Sequence, residues 1–88
     1  MKKVKVFYME NCPHCRRAFR ILDDLMAGNP EYSKIEIEYI DENKDVKADN
    51  AHDYYYVPTF YVDGVKLHEG VPSVDRIERV LKEAIKHD

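Results

Sequence analysis

Cysteine is nearly missing from this chain: two residues in 88, Cys12 and Cys15. A disulfide-stapled scaffold is thereby excluded, because a bridge across so short a loop removes only about 2 kcal/mol of denatured-state entropy. No run of about 18 apolar residues occurs, which excludes a membrane-spanning helix. The apolar stretch after Met1-Lys2-Lys3 is broken by Lys5 and ends at Met9. That is too short for the core of a signal peptide and lacks a small-residue cleavage site. Blocks of like charge are absent too: 14 basic and 17 acidic residues are spread along the chain, for a net charge of −3. Nothing in that balance favours a nucleic acid or an anionic membrane as partner. Without linkers, repeats or low-complexity segments, the chain is expected to be one domain over 1–88, cytoplasmic and built on a single core. Glu36, Glu38 and a charged last helix point to a solvated monomer.

What is present is a regular succession of elements. Val4 to Tyr8 reads as a strand entering a core. From Pro13, apolar residues at Ala18, Phe19, Ile21, Leu22, Leu25 and Met26 keep helical spacing until Gly28-Asn29-Pro30 stops them. Ile35 to Ile40 alternates as a strand with one solvated face. Lys44 to Asp53 is polar, with Val46, Ala48 and Ala51 as anchors for a second helix. Thr59 to Val62 forms a third strand, Asp63-Gly64 a two-residue hairpin turn, and Val65 to Glu69 a fourth. Ser73 caps a last helix with the stripe Val74, Ile77, Val80, Leu81, Ala84 and Ile85. The order is β-α-β-α-β-β-α. A crossover unit followed by an antiparallel hairpin gives an α/β fold, a mixed four-stranded sheet flanked by three helices lying on both faces.

The two cysteines meet the first strand-to-helix junction as Cys12-Pro13-His14-Cys15. A CxxC placed there reads as a redox pair, with half a zinc site as the alternative. Cys12 stands where the unpaired amides of the first helical turn favour a thiolate, the nucleophilic form. Cys15, one turn further in on the same side, suits a resolving thiol. Pro13 has the fixed φ and missing N–H of a first helical position. His14, when protonated, brings positive charge towards the thiolate and thereby tunes the potential upward; the plain alternative is an exposed helix residue.

These motifs, with Val57-Pro58-Thr59 opening the hairpin, resemble the thioredoxin-fold superfamily and above all its short branch, the glutaredoxins. The resemblance covers essentially the whole chain. It implies a thiol-disulfide oxidoreductase with a redox-active Cys12–Cys15 disulfide and no bound cofactor. It implies protein disulfides as substrates, and glutathione or a thioredoxin reductase as reductant. Pro58 matches the family's cis proline, which turns the Val57 backbone towards substrate; a trans proline opening an edge strand is the alternative. Tyr56, with Tyr54 and Tyr55, forms either an aromatic wall beside the dithiol or part of the core. Gly70 and Asp75 fall where glutaredoxins hold the glutamyl end of glutathione, although Ser73 and Asp75 also read simply as a helix cap. The chain departs from both branches. Met9 replaces a glutaredoxin lysine, the Trp-Cys-Gly-Pro-Cys signature is absent, and Val6 replaces the buried thioredoxin aspartate. Proton transfer to Cys15 then falls to water or a neighbouring side chain such as Glu10. A Cys/His metal module, drawing on His14, His52, His68 or His87, is the competing class, and the histidines lack His-x3-5-His spacing.

Overall fold

The computed structural model describes residues 2–44 and 54–86. Strand β1 (Val4–Tyr8) leads into helix α1 (Pro13–Gly28), a short helical turn α2 (Pro30–Ser33) and strand β2 (Ile37–Asp41). Strands β3 (Thr59–Val62) and β4 (Val65–Glu69) form the hairpin, and helix α3 (Val74–Ala84) closes the fold. The strand order is β2-β1-β3-β4, with β1 parallel to β2 and antiparallel to β3. The mixed four-stranded sheet is therefore the observed architecture, and among the described residues it is accompanied by α1, the short turn α2 and α3.

Alternation along the strands divides the interior in two. Val4, Val6, Phe60 and Val62 face α1 and α3, where Ala18, Ile21, Leu22, Ile77, Val80, Leu81 and Ala84 bury against them. On the opposite face Phe7, Ile40 and Tyr61 form a second cluster, joined by half-buried Tyr54 and Val57. Phe7 meets the Tyr54 ring at 5.2 Å and the Tyr61 ring edge-on at 5.7 Å. Of the helix expected over 44–53, residues 45–53 lie outside the described residues, and α1 and α3 share one face of the sheet.

Several boundaries differ from the sequence expectation for physical reasons. Asn29 does end α1, but its side chain accepts the Glu31 N–H at 3.0 Å and so caps a new turn, with Pro30 in its first position. The amide of Ile35 then bonds back to the Tyr32 carbonyl at 3.0 Å, and β2 opens two residues later than expected. Val74, assigned to the apolar stripe of α3, is 53% exposed at the start of that helix. Asp63 and Gly64 both take positive φ, 48° and 82°, as a two-residue hairpin turn requires. Among the described residues no helix is long and apolar enough to cross a membrane.

Candidate active site

The chain leaves β1 through Met9-Glu10-Asn11, and Asn11 takes a left-handed φ of 62°, which an asparagine tolerates. That bend sets Cys12 as the N-cap of α1 in extended geometry, with Pro13 inside the first turn. The Cys12 carbonyl accepts the Arg16 N–H at 3.0 Å, and its sulfur accepts the Cys15 N–H at 3.3 Å. A sulfur doing the work of a capping oxygen is thus held against the amide end of the helix. Both thiols are free. Cys12 is half-buried, whereas Cys15 is 1% exposed. Burial pushes the Cys15 thiol up to about 12; its hydrogen bond with Cys12 and the negative charges of Cys12 and Glu42 push the same way, against an opposing backbone bond at Met9.

A second segment faces this turn. The Val57–Pro58 peptide bond is cis, and Pro58 is fully buried. The Pro58 carbonyl accepts the Gly70 N–H at 3.0 Å, which ties the loop after β4 to the loop before β3. Gly70 holds a φ of +90°, a conformation that suits glycine. Its carbonyl accepts the Nε2–H of buried His68 at 2.9 Å, and burial lowers the pKa of that imidazole. The Thr59 hydroxyl donates to the Tyr56 carbonyl. The result is a mostly apolar cleft of about 430 Å3, lined by His14, Tyr56, Val57, Glu69, Gly70 and Val71.

Four sequence-predicted residues, His14, Tyr56, Val57 and Gly70, therefore line one cleft beside the Cys12–Cys15 turn. Asp75 does not join them; it lies exposed in the first turn of α3, along a depression shared with Glu78, Arg79 and Lys82. The three tyrosines divide: Tyr54 packs on Phe7, while Tyr55 and Tyr56 are 88% and 70% exposed. Glu10, named beside water as a route for proton transfer to Cys15, is exposed and paired with Lys44 at 3.3 Å. Glu42, whose carboxylate accepts the Tyr54 hydroxyl at 3.1 Å, adds a smaller electrostatic contribution to the raised pKa of Cys15, behind burial and Cys12. Its position just past β2 gave it no sequence signal. Glu69 and Val71 were also missed as cleft residues. Among the described residues no three His, Cys, Asp or Glu side chains gather as a metal site, and His52 and His87 lie outside those residues.

A family model described as a thioredoxin domain matches residues 2–82. The chain belongs to the thioredoxin-domain family. It is similar to the thioredoxin of Methanocaldococcus jannaschii, 24% identical over 83 residues that span 94% of this chain and 95% of that protein. Among solved structures it is similar to the oxidised thioredoxin of Plasmodium falciparum, with a TM-score of 0.72 and 16% identity over 97% of this chain and 82% of that one. A mutant thioredoxin from Halobacterium salinarum aligns with a TM-score of 0.70 and 18% identity, covering 99% of this chain and 77% of that one. Thioredoxin-domain membership agrees with the element order and with a CxxC at the head of α1.

Proposed function

We propose that the protein is a dithiol-disulfide oxidoreductase acting on protein disulfides, with Cys12 as nucleophile and Cys15 as resolving thiol. The observation that carries this reading is the asymmetry of the pair: Cys12 caps the helix at the surface, and Cys15 lies buried one turn behind it. In the first step the Cys12 thiolate attacks one sulfur of the substrate disulfide. The S–S bond breaks, a mixed disulfide forms and one substrate thiolate leaves. In the second step Cys15 loses its proton and attacks the Cys12 sulfur, which closes the Cys12–Cys15 disulfide and releases the other substrate thiolate. Two electrons have then passed to the substrate.

The order of events has a physical basis. Burial does most to hold the proton on Cys15, and a free Cys12 adds to it through its hydrogen bond and, as a thiolate, its charge. A mixed disulfide removes both Cys12 effects, so Cys15 ionises more readily at the step that needs it. The apolar cleft supports a role in receiving the substrate segment next to its cysteine. His14, at the rim of that cleft, is assigned to tuning the potential of the pair.

Insulin-disulfide reduction tests the reading. Cys12→Ser is expected to abolish turnover, and Cys15→Ser to accumulate a covalent mixed disulfide; full activity of Cys12→Ser would refute it. The potential, measured against glutathione redox buffers, separates the roles further. A value near about −270 mV would match thioredoxin and remove His14 from its role, whereas about −200 mV or higher would support it. Turnover supported by glutathione alone, against turnover that needs a thioredoxin reductase, decides the reductant.

A further inference from the structure

Glu69, the last residue of β4, reaches across to the segment that precedes Pro58. Its Oε2 accepts the Tyr55 N–H at 2.6 Å and the Tyr56 N–H at 2.9 Å, and its Oε1 meets the Lys66 ammonium at 2.7 Å. Those two amides belong to the backbone that runs into Val57, one wall of the cleft. The Tyr55 and Tyr56 side chains do little to hold that wall, being 88% and 70% exposed. Polar bonds take over where packing is thin: Glu69 grips the amides, and the Thr59 hydroxyl grips the Tyr56 carbonyl. Charge-assisted bonds of this kind are roughly twice as strong as neutral ones. Lys66 and the two amides together hold the Glu69 carboxyl down at about 2.

We propose that Glu69 is a positioning residue for the disulfide substrate, clamping the Tyr55–Val57 backbone in the form that a substrate segment meets beside Cys12. The proposal rests on the oxidoreductase reading above and adds a determinant of its affinity. A wall fixed in advance loses less conformational freedom when a polypeptide docks on it, so the clamp acts on substrate binding. The thiol chemistry at the head of α1 uses a different set of bonds and is left alone.

The test compares Glu69→Ala with Glu69→Gln, which keeps one oxygen able to accept both amides. In Glu69→Ala, KM for a protein disulfide is expected to rise about tenfold with kcat nearly unchanged. Alkylation of Cys12 by iodoacetamide is expected to keep the wild-type rate. Amide hydrogen exchange at Tyr55 and Tyr56 should accelerate. Glu69→Gln should bring KM back to within about twofold of wild type, since it loses only a part-exposed ion pair. An equal KM rise in both variants would overturn the clamp, as would unchanged exchange in an active Glu69→Ala protein. A wild-type chain that reduces no protein disulfide sinks the oxidoreductase reading, and this proposal with it. An active wild type with an unchanged KM in Glu69→Ala sinks this proposal alone.

Discussion

Cys15 lies beneath Cys12, and burial there moves its thiol from an ordinary 9.0 to about 12. A raised pKa means that the fold favours the protonated thiol. The stability this contributes is complete below about pH 9 and is lost as pH rises from 9 towards 12. The reduced protein is therefore expected to weaken on that alkaline limb more steeply than Cys15→Ala, as urea titrations at stepped pH will read. Glu42 adds to the same shift, so Glu42→Gln should lower the Cys15 titration, followed by thiolate absorbance near 240 nm; an unchanged midpoint would remove Glu42 from the site. At this scale the cysteines and the prolines announce themselves, since few residue types suit a thiol cap or a first helical position. Glu42, Glu69 and His68 do not. An acid after a strand, or a histidine within one, reads as surface until the pairing of distant segments buries it or gives it partners.

Elements were legible where local chemistry alone decides them. The β3–β4 hairpin follows from Asp63-Gly64, because a two-residue turn needs positive φ at both positions. Nothing lies within 4 Å of a Cβ added at Gly64, so Gly64→Ala carries only the backbone cost of its φ of +82°. That cost is about 1 kcal/mol. Equilibrium unfolding in urea should show the loss, with Gly64→Asn closer to wild type. Ser73 behaves similarly: its hydroxyl accepts the Arg76 N–H at 3.2 Å, and Ser73→Ala is expected to cost about 1 kcal/mol. The start of β2 was less legible because Asn29 serves two masters, ending one helix and capping the next. Periodicity at Ile35 to Ile40 is real, but the Ile35 amide is already committed to the turn before it.

Across the whole molecule, the sheet is a partition with a different interior on each side. Crossover and hairpin rules predict its parallel and antiparallel pairings, and the alternating residues predict which side chains share a face. They do not predict that the smaller interior reaches the cleft. Phe7 stands fully buried between Tyr54 and Tyr61, in the cluster that also receives Val57. Phe7→Ala is expected to cost about 3–5 kcal/mol, read by denaturant unfolding. In whatever fraction remains folded, KM for protein disulfides should rise, because the cluster that seats Val57 has lost its central ring. The burial of one sulfur behind the other has a consequence for mixtures of partners. On the oxidoreductase reading proposed above, one accessible thiol means that the molecule engages one polypeptide at a time and does not bridge two. Competing disulfides would then queue for it, the traffic among them governed by arrival and residence, and an equimolar mixture of two disulfide partners is expected to yield binary adducts without a ternary cross-linked species.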